Sequence, residues 1–263
     1  MVRELLVHPD RNYFSQGSIF EGLKVLEERD TKGIVITARC DIANQKARNI
    51  LCLPIYEMND WMSVHGNTII FRQTKKKLIN KIQNSLTKFK EPNDCYRVFT
   101  QKRVLDEINK KKSTYETSDV EDLISMLNMY YEKKCDFSLN FVKKARSNLI
   151  SNVINNKEAS TYFIEQVDMD NTLKPYVIDL SEPISIPIDF MEKLKKGIKK
   201  QNDCDGVFGF FNIPEAGISY ISTLKSPYIE HLLQKFSQYY SRIGTEDICS
   251  DALEIIEGHI HEA

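Results

Sequence analysis

Directly after the apolar run Ile34-Val35-Ile36 the chain reads Thr37-Ala38-Arg39-Cys40-Asp41. A thiol in that position is a candidate nucleophile, because a thiolate attacks once nearby positive charge or an adjacent base lowers its pKa. Arg39, Lys46 and Arg48 supply the charge, and His65 is the candidate base at the next junction. Asp41 would orient that base or bind a cation. The same residues also have a structural reading: a cysteine at a strand end packs, and an aspartate one position on holds a turn. Thr37, Arg39, Cys40 and Asp41 are therefore the candidate catalytic set, with the turn reading favoured for Asp41.

A second chemistry is electrostatic. Residues 72–90 carry seven cations and no acid. Arg72, Lys75, Lys76, Lys77 and Lys81 are the candidate nucleic-acid contacts, since phosphate backbones attract such a surface and salt weakens the attraction. The competing reading is a solvated helix face. Lys193, Lys195, Lys196, Lys199 and Lys200 form a similar cluster, flanked by acids.

Metal and cofactor chemistry finds no anchor. The six cysteines form no C-x-x-C pair, and no zinc-type spacing occurs. They read as reduced thiols. His259-Ile260-His261 reads as a tail and not as a ligand pair. No phosphate-binding glycine loop, G-x-S-x-G elbow or H-E-x-x-H is present. No metal and no cofactor is expected.

These residues need elements to position them. "GSIFEGLKVL", "GIVITARC", "NILCLPIY" and "NTIIFRQ" read as short strands, the last after a His65-Gly66-Asn67 turn. Residues 75 to about 157 read as helical. Leu78, Ile82, Leu86 and Phe89 share one face, as do Leu123, Leu127 and Tyr130, and Leu139, Val142, Ala145, Leu149 and Val153. Ser118 and Glu121 have the spacing of a capping box, and "CYRVFTQK" is ambiguous. Strands return with "STYFIEQV", "PYVIDLS", "GVFGFFNI" and "GISYISTL", with a short helix in "IDFMEKLKKGIKK". "KSPYIEHLLQKFSQYYSRIG" reads as a helix capped by Ser226, started by Pro227 and ended by Gly244, with Arg242 near its last carbonyls.

Two stretches resemble known families. Gly17-Ser18-Ile19, the strand ending at Thr37, Asn44 and Leu53-Pro54-Ile55 together resemble the opening of PemK/MazF-type SH3-like barrels. That resemblance implies RNA cleavage at the strand end, with Thr37, Arg39 and Arg48 matching the toxins' arginine and Ser/Thr positions. The toxins' Arg-Pro is replaced by Lys32-Gly33. "QGSIF", "VITARCD" and "SPYIEHLLQKFSQYYSRIG" are also similar to a poorly characterised bacterial family with QGDI, V-[IL]-T-Q-x-C-D and SP-x-x-E-x-L-x-Q-x-F motifs. This chain has Ser18 for the aspartate and Ala38-Arg39 after the threonine. The second resemblance implies a place in mobile-element and phage-defence gene clusters.

The expected fold is α+β. It is an SH3-like barrel split by a helical insertion and closed by a C-terminal helix: residues 1–74 the first half, 75–158 the insertion and 159–263 the second half. Two successive domains, with a boundary near residues 110–118, are the alternative. With 36 cations against 37 acids, net charge names no partner. No secretion signal and no run of roughly 20 apolar residues is read, so a cytoplasmic protein without membrane contact is expected. The functional expectation is a non-catalytic partner-binding or regulatory subunit of a defence system, with a protein partner from the same gene cluster and RNA or DNA contact through the basic helix. The alternative is a PemK/MazF-like ribonuclease or nucleotide-processing enzyme using Thr37, Arg39, Cys40 and Asp41.

Overall fold

A computed structural model describes residues 3–10, 12–25, 31–169, 173–199 and 209–241. Strands come from both ends of the chain: β1 (Leu6–Val7), β2 (Ser18–Glu21), β3 (Lys32–Val35) and β4 (Asn49–Glu57), then β5 (Thr161–Ile164), β6 (Tyr176–Asp179), β7 (Ile184–Pro187) and β8 (Tyr220–Leu224). They form one curled antiparallel sheet, a half-barrel, in the order β1-β8-β2-β3-β4-β6-β5, with β7 also on β4. β8 lies between β1 and β2, and β6 and β7 flank β4. The β-rich ends of the chain thus contribute strands to one sheet.

Alternation along the strands decides what each face covers, because successive side chains point to opposite faces. Ile19, Ile34, Leu53, Ile55, Tyr162, Ile164 and Ile178 share one core with Ile229 and Leu232 of the C-terminal helix. Their neighbours Phe20, Val35, Ile50 and Cys52 face the other way, against Leu194, Ile198 and Phe211. Tyr56, Phe163 and Val177, also on that second face, join the core of the helical region. The helices therefore pack directly on the β4-β6-β5 end of the sheet.

α1 (Arg39–Ala43) is one short turn after β3, whereas the helical region begins at once after β4. α2 (Met58–Trp61) runs into a π-turn (Met62–Gly66) and then α3 (Asn67–Lys88), α4 (Cys95–Val98), α5 (Gln101–Lys110), α6 (Thr117–Glu132) and α7 (Asn140–Ile154). α8 (Met191–Lys196) and α9 (Tyr228–Tyr240) follow in the second half.

Several local expectations are corrected. "NTIIFRQ" is not a strand; it is the first two turns of α3. Its β-branched residues join a four-residue period, with Ile70, Thr74, Leu78, Ile82 and Leu86 all buried, and burial overrides strand propensity. The expected His65-Gly66-Asn67 turn is helical as well. "CYRVFTQK" is α4 and the start of α5. Ser118 does not cap α6, which starts at Thr117 without a side-chain cap. α9 starts at Tyr228 with Pro227 as its N-cap after a cis Ser226-Pro227 bond, so Pro227 is not the first helical residue and Ser226 does not cap. Of "GVFGFFNI", residues 209–213 are described, and Phe211 bridges Leu23. Lys200, Arg242, Gly244, His259 and His261 lie outside the described residues.

The feature that shapes the sheet sits at Pro54. The main chain of Leu51 bonds toward β3, accepting from the Ile36 amide and donating to Thr37 Oγ1. Directions alternate along a strand, so residue 54 faces the β6/β7 edge. Proline has no N–H to donate there. Between the pairs Cys52↔Ile184 and Ile55↔Ile178, β4 spends two residues (53 and 54) and its neighbour spends five (179–183). The three-residue excess is a bulge, Asp179–Pro183, opening opposite the missing donor.

On the other edge of β4, Gly33 pairs with Pro54 and with Phe20 of β2. The fully buried Phe20 ring lies over Gly33, whose added Cβ would stand 2.5 Å from Phe20 Cζ. Gly33→Ala should therefore destabilise the protein by about 1–3 kcal/mol through overpacking. Urea unfolding followed by circular dichroism measures it; a midpoint equal to wild type would contradict this packing.

Candidate functional site

The strand-end set is held by ordinary turn chemistry. Thr37 Oγ1 accepts the Leu51 amide at 2.6 Å, which extends the β3–β4 pairing one step beyond the ladder. Asp41 uses its main-chain oxygen to receive the amides of Lys46 (2.9 Å) and Ala47 (3.3 Å), closing the loop after α1. Arg39 and Cys40 are exposed, and Cys40 Sγ lies 3.6 Å from Asp41 Oδ1. His65 is not with them: it follows the C-terminal end of β4, while Thr37 sits at the N-terminal end of that nine-residue strand. The four residues are neighbours through the chain, and the structure does not bring the candidate base to the thiol.

The candidate polyanion contacts behave differently. Arg72, Lys75, Lys76, Lys77 and Lys81 are all exposed on α3, and none makes an ion pair among the described residues. Lys88, farther along the same helix, binds Asp119 at 2.5 Å, and Lys110, Lys111 and Lys112 pair with Glu107, Glu91 and Glu121. Exposed ion pairs contribute only ~0.2–1 kcal/mol each, so leaving five cations open sacrifices little stability. Lys77 and Lys81 stand over the Phe141 ring of α7 at 5.9 and 5.8 Å. Lys144 joins them around a cavity.

A third constellation escaped the sequence. The bulge Asp179–Pro183 faces the π-turn, and side chains tie it to β4 and α2, the elements just before that turn. Asp179 is 2% exposed and takes three hydrogen bonds: Trp61 Nε1 at 2.9 Å, Ser181 N at 2.8 Å and Ser181 Oγ at 2.5 Å. A buried carboxylate is tolerable only when satisfied in this way. Next to it Glu182 accepts the Tyr56 hydroxyl at 3.2 Å. The His65 ring stacks on Trp61 at 6.3 Å and tilts against Tyr56 at 5.4 Å.

Between these walls lies a cleft of about 620 Å³. One wall is helical, with His65, Thr68 and Arg72; the other holds Glu158, Ser160 and Glu182; Tyr239 of α9 closes one side. α9 is tied down nearby: Tyr240 donates to the Ser181 carbonyl, and Lys235 Nζ donates to the Asn156 carbonyl at 2.8 Å. Burial brings the Lys235 ammonium down to a pKa of about 8, against partial compensation from Glu158. Among the described residues, no group of three His, Cys, Asp or Glu side chains is placed to hold a metal ion.

Signals for the cleft existed in the sequence. Trp61 is the sole tryptophan, Pro54 interrupts the longest strand, and Asp179 ends the apolar run Tyr176–Ile178. None of these has the spacing of a motif, and the cleft draws on segments more than a hundred positions apart. Comparison with known proteins adds no name: no family model matches this sequence, no curated protein matches it, and no solved structure matches its fold. No described helix is long and apolar enough to cross a membrane.

Two outcomes follow from these environments. Trp61→Phe keeps an aromatic ring but removes one of the donors to Asp179, so stability should fall by about 1–3 kcal/mol; chemical unfolding monitored by far-ultraviolet dichroism reads it. Thiol labelling should separate the cysteines by environment. Cys40 is exposed, whereas burial raises the thiol pKa of Cys52 and pushes that of Cys135 up to about 11. Peptide mapping after brief alkylation near neutral pH should find Cys40 modified first, and Cys52 and Cys135 only on unfolding.

Proposed function

We propose that this chain is a non-catalytic binding subunit of a bacterial conflict or phage-defence system, which holds RNA or DNA along α3 and a protein partner elsewhere. The observation that carries the nucleic-acid part is the set of five exposed cations, Arg72, Lys75, Lys76, Lys77 and Lys81, that make no ion pair among the described residues, whereas Lys88, Lys110, Lys111 and Lys112 of the same helical region are paired. Arg72 to Lys81 is nine steps of helix, roughly 14 Å, and duplex DNA offers about one phosphate charge per 1.7 Å of axis. Several phosphates can therefore lie along the exposed side of α3, with Arg72 and Lys76 on one flank and Lys77 and Lys81 on the other. What favours binding over cleavage at Thr37, Arg39, Cys40 and Asp41 is that the Thr37 hydroxyl is committed to the Leu51 amide while Arg39 and Cys40 stand in the open.

The sheet belongs to the same proposal as a split SH3-like barrel of the PemK/MazF kind, supported by its curl and by strands from both chain halves alternating within it. The defence-cluster context and the partner rest on the motif resemblance.

The test is fluorescence anisotropy with a labelled duplex and a labelled single strand over a salt series. Affinity should fall with salt by about 0.7–0.9 logarithmic units per decade for each phosphate contact. Replacing Lys75, Lys76, Lys77 and Lys81 together by alanine, a good helix former, should flatten that slope by about three units and cost at least ~100-fold at low salt. An unchanged affinity in the fourfold variant, or no binding at about 50 mM salt, removes the proposal.

A further inference from the structure

We infer that the cleft between the π-turn and the Asp179–Pro183 bulge is a binding site for a nucleoside phosphate. The inference stands apart from the α3 lysines, although Arg72 is common to both. Two independent irregularities of the backbone meet there. A π-turn interrupts what would be one long helix from Met58 to Lys88, and a five-residue bulge, three more than β4 spends opposite it, interrupts the β6–β7 edge. Both devices re-aim side chains and recur beside functional sites. Here they open a space of about 620 Å³, within the range of small-molecule sites.

The wall chemistry selects the ligand. Arg72 is the cation on the helical wall, a planar fork suited to phosphate oxygens. Opposite it, Glu158 and Glu182 offer carboxylate acceptors and Ser160 offers a hydroxyl, which suits ribose hydroxyls or exocyclic amino groups. Asp179 does not compete with the phosphate for Arg72, because three hydrogen bonds engage it and only 2% of it is exposed. Tyr239 and His65 contribute aromatic surface for a planar base. A ligand with an anion at one end, hydroxyls in the middle and a flat ring at the other meets all three. The same group occurs as a free nucleotide and as the terminus of a nucleic-acid strand.

Trp61 is the sole tryptophan and lines this cleft, so its emission reports the site directly. The experiment titrates the full chain with the four ribonucleoside 5′-monophosphates, the corresponding nucleosides, ribose 5-phosphate and a short single-stranded oligonucleotide. Saturable change in Trp61 emission is expected with a monophosphate or with the oligonucleotide; the first identifies a free nucleotide and the second a strand end. Arg72→Ala, at an exposed helical position, should weaken that binding at least ~10-fold and leave the weaker nucleoside response unchanged. Lys81→Ala, more than two turns along α3, should leave the emission titration with monophosphate as in wild type. No saturable change with any phosphate-bearing probe at millimolar concentration overturns the inference. So does a response that Arg72→Ala leaves intact, or one that ribose 5-phosphate alone reproduces at full strength.

Discussion

One missing amide proton organises much of this molecule. Pro54 stands in the middle of the longest strand and leaves its neighbour without a donor, and the neighbour responds by bulging out over residues 179–183. A bulge with apolar side chains would have packed back onto the sheet. This one carries Asp179, Ser181 and Glu182, and buried polar groups must find partners. Asp179 finds them in Trp61 and Ser181, and Glu182 finds Tyr56. The helical region is thereby fastened to the sheet at the point where the sheet is irregular. Tyr56, Val177 and Phe163 add apolar contact in the same place, sharing a core with α3, α6 and α7. Direction comes from the hydrogen bond to Asp179, while most of the burial comes from those side chains.

The sheet imposes a matching constraint on the order of assembly. β8 sits between β1 and β2, and β6 and β7 sit on β4, so neither half of the chain completes a sheet by itself. The pairs Leu6↔Leu224 and Ser18↔Thr223 join residues more than two hundred positions apart. Such closures carry a large loop entropy before any contact repays it. The helical region connects Glu57 to Thr161 through a core that also takes in Tyr56, Phe163 and Val177. A bidentate pair, Arg3 to Glu165 at 2.7 and 2.6 Å, then ties the first strand's approach to the end of β5.

What the sequence disclosed and what it concealed divides by range. Helices α6, α7 and α9 were legible because their apolar residues recur on one face. The strands of β2, β3, β5, β6 and β8 were legible from β-branched and aromatic runs between glycines and prolines. The stretch 67–73 misled, because Ile69, Ile70 and Phe71 suit a strand equally well; only the continuation Thr74, Leu78, Ile82 and Leu86 reveals the period of four. Capping by Ser118 and Ser226 misled because the N-caps are Glu116 and Pro227, and neither helix start has a side-chain cap bond. The basic run of α3 was visible as composition, and the lack of acid partners among the described residues came from the fold. The cleft was invisible for a different reason: Trp61, Arg72, Glu158, Asp179 and Tyr239 have no common spacing, and a hydrogen bond across 118 positions, not a motif, brings them together.

The geometry of α3 also decides which of its side chains reach the cleft and which reach Phe141. Its buried stripe, Ile70, Thr74, Leu78, Ile82 and Leu86, fixes its rotation against α6 and α7. The residues off that stripe then have assigned places: Thr68 and Arg72 on the cleft wall, Lys77 and Lys81 on the side of Phe141. Lys76 lies one turn beyond Arg72 on the same side of the helix. Positive charge thus runs along the surface and stops at Arg72, where the carboxylates of Glu158 and Glu182 begin. Which residues reach the cleft depends on the rotation of α3, and its buried stripe sets that rotation, while the Trp61–Asp179 bond fastens the helix preceding the π-turn to the bulge opposite Pro54.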